Sequence, residues 1–303
     1  MATLFASRQR RRPAKPMAAL LPPLLPPLLP PLLPPRLLPL LLALLLAWCL
    51  AAPARATCSR PIVVPVAPNG RGVTINGGNI GGFYPDLLHR IGRRYGCTLV
   101  LTAVPRARLL AQFDAGQADL VLPISPSAAR DRIGQFVPLV AARPALVSVQ
   151  GPQPAVRTVA DLLARRDVRV VVVRGYDYGG AYDALIQALA SQRRLVEEVD
   201  AVAMARLVQA GSVDAALIAP TVFYGAVDSD ARLQSLAGRL HIDVLPELPW
   251  GERGAYISRR SLTPADQATL RAMLAELANS GAVLQSFQRS YESKVLQMSV
   301  RAP

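Results

Sequence analysis

Between residues 60 and 295, short β-branched runs alternate with stretches of helical period. This alternation constrains the chain more than any other feature. Pro61–Val66, Thr98–Ala103 and Asp119–Leu122 read as strands. Between the first two, apolar residues fall at 83, 87, 88, 91 and 95; between the last two they fall at 109, 110 and 113, one face of a helix in each case. The same grammar restarts near residue 158. Thr158 caps a helix, Val168–Val173 is a strand of the buried parallel kind, and a helix runs from about Gly179 to Ala190. Leu195–Val199, Ala201–Ala210 and Val213–Ala219 then read strand, helix, strand. Strands alternating with helices imply βαβ units and parallel sheets, so the fold class is α/β. An internal echo points to two lobes. Ala115–Asp119 and Ala210–Asp214 lie 95 residues apart, and each places a glycine where a helix ends and a strand begins. Two further helices, from Thr263-Pro264 to Asn279 and from Ala282 to Tyr291, close the chain and are expected to return to the first lobe.

Residues 1–56 are of another character. They hold seven basic residues and no acid, and end in a 15-residue apolar run, Leu37–Ala51, followed by Ala54-Arg55-Ala56. A basic start, a short apolar core and an A-x-A site make a secretory signal peptide, cut after Ala56, and place the protein in the periplasm. The run is too short, and too interrupted by Pro39, to suit a membrane span. Leu20–Pro35 is LLPP four times over, which no stable helix accommodates; it is either a lengthened leader or upstream of a true start at Met17. Neither Cys49 nor Cys58 sits in a lipobox, so a soluble protein is expected.

The whole chain carries a formal net charge of +14, of which the leader supplies +7. The remaining positive charge is almost all arginine and is scattered, with no basic cluster interleaved with aromatics, which argues against a nucleic-acid partner. Cys58 and Cys97 each precede a strand run. If those strands are parallel neighbours, both cysteines lie at one sheet edge, and a disulfide competes with two small buried residues as the reading.

Several stretches, in this order and spacing, resemble one known family. They are GGFYPDLLHRIGRRYG, PRARLLAQFDAGQADL, SPSAARDRIGQF, VADLLARRDVRVVVVRGYDYG, AGSVDAAL and the C-terminal AYISRRSLTPADQATLRAMLAELANSGAVLQSFQRSY. The chain is similar to the periplasmic solute-binding proteins of the amino-acid-binding type (family 3), the receptors of ABC importers. The resemblance implies a type II flytrap of two lobes, each a sheet with flanking helices. Lobe 1 would be 57–148 plus 254–303 and lobe 2 would be 149–253, with crossing segments near 148–152 and 248–254. It also implies a monomer that binds a small carboxylate-bearing ligand, an amino acid or organic acid, and docks on an inner-membrane ABC permease, with no cofactor.

The resemblance also assigns roles. An arginine at the place of Arg130 forks onto the ligand carboxylate, as a guanidinium's parallel donors allow, and a serine at the place of Ser125 adds a hydrogen bond. Arg132 is its decoy, and Asp131 a candidate to neutralise Arg130 in the empty protein. Where the family has an aspartate for the α-ammonium, this chain has Ala219; where it often has an aromatic platform, this chain has Arg106. Both departures move the cleft toward anions. Tyr176, Asp177 and Tyr178 follow the strand Val168–Val173 in a ligand-contacting turn. Asp177 either binds an amine or caps the next helix, the cap being preferred. Trp250, near the second crossing, is read as a packing residue.

A catalytic constellation is not visible. His89 and His241 have no second ligand at metal spacing, and no HExxH, CxxC or G-x-S-x-G occurs. The competing readings are a cyclohexadienyl-dehydratase-like enzyme, with Asp177 as the one candidate acid or base, and a ligand-sensing module.

Overall fold

The computed structural model describes residues 57–151 and 155–303. The expected signal peptide and its A-x-A site therefore lie outside the described residues. Strand β1 (Ile62–Val66) is followed by a small hairpin, β2 (Thr74–Asn76) and β3 (Asn79–Gly81), and then by helix α1 (Phe83–Arg94). Helix α1 buries Phe83, Tyr84, Leu87, Leu88 and Ile91 on one face. Asp86 in its first turn and Arg93 and Arg94 in its last oppose the helix dipole. Strand β4 (Leu99–Ala103), helix α2 (Arg106–Asp114) and strand β5 (Leu120–Ile124) complete the first βαβ series. Gly116, at φ 72°, supplies the left-handed turn between α2 and β5.

A four-residue helix, α3 (Ala128–Asp131), leads to the long strand β6 (Gly134–Ala142). Strand β7 (Ala145–Val149) then enters a different sheet. Helix α4 (Val159–Ala164) is capped by Thr158 as the sequence predicts, its hydroxyl accepting from the Asp161 amide at 3.0 Å. Strand β8 (Val170–Val173), helix α5 (Gly180–Ser191), strand β9 (Leu195–Glu198), helix α6 (Ala201–Gln209), strand β10 (Ala215–Ile218), helix α7 (Pro220–Ser229) and strand β11 (Leu240–Asp243) fill this second lobe. Strand β12 (Gly251–Ser258) returns to the first. Helices α8 (Pro264–Asn279), α9 (Ala282–Ser290) and α10 (Ser293–Ser299) and the short strand β13 (Val300–Arg301) end the chain there.

The α/β class and the two lobes stand as the sequence predicts, but the sheets are mixed rather than parallel throughout. In lobe 1, β1 and β4 are parallel, while β13-β6-β12-β5 is an antiparallel sheet. The Asp119 amide donates to Val63 O at 2.9 Å and joins the two. In lobe 2 the order is β11-β7-β10-β8-β9, with β10, β8 and β9 parallel and β7 antiparallel to both β10 and β11. The crossings also shift. β7 pairs within lobe 2 from Ala145, so the first crossing lies at Arg143-Pro144, earlier than 148–152. β12 pairs with β6 from Gly251, so the second crossing ends before residue 251 rather than at 254. The reason is that β6 and β12 are long strands. Each leaves the lobe only when its ladder ends, and a run such as VPLVAARPALV shows no local break except its Arg-Pro. Trp250 packs at this crossing between the guanidiniums of Arg143 and Arg301, at 4.5 and 4.6 Å from its ring centre.

Cys58 and Cys97 form a disulfide across 39 residues, at the shared edge of β1 and β4. Nearby, Asp119 is almost wholly buried and accepts a bidentate pair from Arg60 at 2.7 and 2.8 Å, plus the Val63 amide at 2.8 Å. Burial alone would raise this carboxyl's pKa. The hydrogen bonds from Arg60, Ser261 and the Val63 amide outweigh it and hold the pKa below its ordinary value.

Candidate functional site

The parallel strands end at one level, and the loops beyond their carboxyl ends face each other across the lobes, where open α/β sheets place ligands. β4 delivers Arg106, β5 delivers Ser125, β8 delivers Tyr176–Tyr178 and β10 delivers Ala219. These residues line one cavity of about 40 Å³, together with Arg253 of β12.

The lobes touch directly around this cavity. Asn69 Nδ2 donates to the Tyr176 hydroxyl at 2.8 Å, and Ser125 Oγ donates to Asp177 O at 2.5 Å. Arg71 pairs with Asp228 at 2.6 Å. Behind them the backbones meet. A Cβ on Gly225 of α7 would lie 2.4 Å from the Gly70 Cα, and Gly70 itself has φ 55°. Two glycines are therefore what allow this approach. The arrangement is that of a closed cleft.

Arginines dominate its interior. Arg106 is buried, lies 4.9 Å over the Tyr176 ring, and donates to Pro123 O at 2.8 Å and Gly175 O at 3.4 Å. Burial lowers its pKa. Arg253 lies 4.5 Å over the Tyr178 ring and donates from Nη1 to Ser125 Oγ at 2.5 Å and Glu252 O at 3.0 Å. Its Nη2 is buried without a hydrogen-bond partner. Burial lowers its pKa too; Tyr178 and Asp177 oppose that shift, while Arg106 adds to it. A guanidinium stays protonated at neutral pH regardless, so the burial shows up as destabilised positive charge rather than as a lost proton.

Arg130 sits differently from its expected place. It is not among the residues lining the cavity. Its Nη2 donates to Ser125 O at 3.2 Å and reaches Asp177 Oδ2 at 3.5 Å, a bridge between lobes at the cavity's rim. Its Nε is buried without a partner. Asp131 does not neutralise it: Asp131 Oδ1 accepts from the Tyr256 hydroxyl at 2.7 Å. That tyrosine is fully buried, and burial first, then the bond to Asp131, raises its pKa to about 12. Arg132 Nη1 donates to Ala128 O at 3.2 Å.

The tyrosines and Asp177 knit lobe 2's half of the wall. The Tyr176 and Tyr178 rings stack 6.0 Å apart. The Tyr178 hydroxyl accepts from the Ala219 amide at 3.0 Å, and burial raises its pKa. Asp177 Oδ1 accepts from the Gly179 amide at 2.7 Å, ahead of α5, while its Oδ2 faces Arg130. Asp177 thus orders the turn before the helix and links the lobes, but it is not the helix cap that the sequence favours: Gly179 is the N-cap and no side chain caps it.

Arg253 escaped the sequence reading. The register of β12 against β6 slips by one residue between Arg253 and Gly254, leaving Leu139 unmatched. A Cβ at Gly254 would lie 2.0 Å from Val137 O, so only glycine fits at the slip. The extra residue is on β6, so β12 keeps its alternation, and Arg253 falls on the side of Ala255 and Ile257, at the end of the strand that lines the cleft. The available signal was a lone glycine inside the strand GERGAYIS, which marks a bulge or a close backbone approach.

Among the described residues no group of His, Cys, Asp and Glu is placed to hold a metal, and no helix is long and apolar enough to cross a membrane.

A family model for bacterial extracellular solute-binding proteins matches residues 75–288. No curated protein matches the sequence. Among solved structures, the chain is similar to the arginine-, lysine-, histidine-binding protein ArtJ of Geobacillus stearothermophilus. The TM-score is 0.61 at 18% identity, over 79% of this chain and 99% of that one. It is also similar to the substrate-binding protein AbpA of Streptococcus pneumoniae bound to L-arginine, with a TM-score of 0.59 at 19% identity, over 77% and 97%. A histidine kinase sensor domain with similarity to periplasmic binding proteins gives a TM-score of 0.60 at 20% identity, over 76% and 95%. At such identities the likeness is one of fold.

Proposed function

The chain belongs to the bacterial extracellular solute-binding protein family, and from that premise we propose that it is a periplasmic receptor. It captures a small carboxylate-bearing ligand between its lobes and hands it to an inner-membrane ABC permease. The single observation that carries this reading is the cationic cavity at the lobe junction. Arg106 and Arg253 line it, each on its own tyrosine ring, and donors remain unmet. Guanidinium donors with no protein acceptor are suited to an oxyanion, since charge-assisted bonds are the stronger kind.

The receptor acts by closure. With the lobes apart, Ser125 and the arginines of lobe 1 face solvent and meet the anion first. Closure then brings the Tyr176–Tyr178 turn over it, and the Asn69–Tyr176, Ser125–Asp177 and Arg130–Asp177 contacts form. Ligand shifts the lobes toward the closed form because it binds that form better. A dehydratase reading would need Asp177 free to move a proton, whereas its oxygens are held by Gly179 and Arg130.

Calorimetric titration of the purified protein with amino acids and organic acids tests the proposal. At least one carboxylate is expected to bind in the micromolar range or tighter, without turnover. Release of a chemically altered product would overturn the receptor reading in favour of an enzyme.

A further inference from the structure

Resting on that reading, we propose that the ligand is a compact dianion, a short-chain dicarboxylate, and that it carries no ammonium group. The first ground is charge. Three guanidiniums, Arg106, Arg130 and Arg253, converge on the closed cleft, and the one carboxylate among them is Asp177. Asp177 offsets one cation, at 3.5 Å from Arg130. Arg106 and Arg253 line the cavity itself and bond only to backbone carbonyls and a serine hydroxyl. Two positive charges thus remain, and burying unpaired charge is costly. A bound dianion balances the cleft, whereas a zwitterion leaves both charges unbalanced.

The second ground is the pattern of spare donors and committed acceptors. Arg253 Nη2 lacks a partner altogether. Several acceptors that an ammonium could use are already engaged. Pro123 O and Gly175 O serve Arg106, Asp177 O serves Ser125, and the Tyr178 hydroxyl receives the Ala219 amide. Ala219 itself offers no side-chain acceptor. An ammonium entering here would meet two guanidiniums, Arg106 and Arg253, and a single carboxylate, Asp177, that already faces Arg130.

The third ground is size. The cavity measures about 40 Å³. A single water needs on the order of 10–15 Å³ by the same measure, so the closed cleft suits a few heavy atoms rather than a long side chain.

The test is calorimetry on the purified protein at pH 7 with oxalate, malonate and succinate, against acetate, lactate, L-alanine, L-aspartate and sulfate. One of the three dicarboxylates is expected to bind at least 30-fold tighter than any monocarboxylate, and at least tenfold tighter than L-aspartate, the amine-bearing counterpart of succinate. In Arg253→Gln, dicarboxylate affinity should fall at least 30-fold and monocarboxylate affinity by a clearly smaller factor, narrowing the gap. Arg106→Gln is the second variant should the first not fold. A zwitterion or monocarboxylate that binds as tightly as the dicarboxylates overturns the dianion and leaves the receptor standing. Sulfate binding in preference to every dicarboxylate overturns the dicarboxylate. Binding of no carboxylate at all overturns the receptor reading itself.

Discussion

Replacing Arg253 by methionine should move stability and affinity in opposite directions. In the closed form without ligand the guanidinium is a burden. Its Nη2 has no partner, burial disfavours its charge, and Arg106 repels it. Against this stand two bonds from Nη1, to Ser125 Oγ at 2.5 Å and Glu252 O at 3.0 Å. Exchanging buried ionic groups for an apolar residue of similar volume is often neutral or stabilising by about 1–4 kcal/mol. With the two bonds deducted, a gain of about 1 kcal/mol is expected, or roughly 2–4 °C in Tm for a chain of this size. With ligand bound the sign reverses. Truncating one member of a buried hydrogen-bonded charge pair costs roughly 2–5 kcal/mol, so Kd should rise about a hundredfold. Differential scanning calorimetry on the free protein and isothermal titration on the complex measure the two halves. A variant that melts several degrees lower yet binds as before would refute the reasoning, because Arg253 would then be a structural residue.

Four other outcomes are expected. Arg130→Ala should weaken ligand binding by about 2 kcal/mol, through loss of its charge-assisted contacts at the rim, read by calorimetry. Gly225→Ala should hold the lobes apart, since its Cβ would collide with the Gly70 backbone; about 2 kcal/mol of affinity should be lost, with a larger radius of gyration by X-ray scattering in the liganded state. Cys58→Ser should cost about 4 kcal/mol in denaturant melts, the loop-closure entropy of a roughly 40-residue loop, and intact mass of the oxidised protein should be two hydrogens below the reduced form. Asp119 has a lowered folded pKa, so its stabilisation is present above the unfolded value of about 3.9 and is lost as pH falls through the folded value. Asp119→Asn should therefore flatten the acid limb of a Tm-against-pH curve below about pH 4.

Local pattern was enough for much of the fold. Helix α1 shows in the apolar positions 83, 87, 88 and 91, and α4 in its Thr158 cap. Each of these is a property of a few consecutive residues. The loops that carry Arg106, Ser125 and Tyr176–Tyr178 follow recognisable strands, but it was the family resemblance that singled them out. The antiparallel strands β6, β7 and β12 were harder. Their apolar runs look alike whether the neighbour is parallel or antiparallel, and their partners lie about a hundred residues away.

The amino-acid sequence alone thus determined the alternation of strand and helix, the two lobes and the loops from which the cleft is built, since periodicity and capping act over short spans. Tertiary structure alone decided which cations enter the cavity. Arg253 enters the cavity because β12 runs beside the Tyr178 turn of the other lobe, and Arg130 stays at the rim, where it meets Asp177 of that lobe. Both depend on pairings between distant segments, which exist only once the lobes have folded and met.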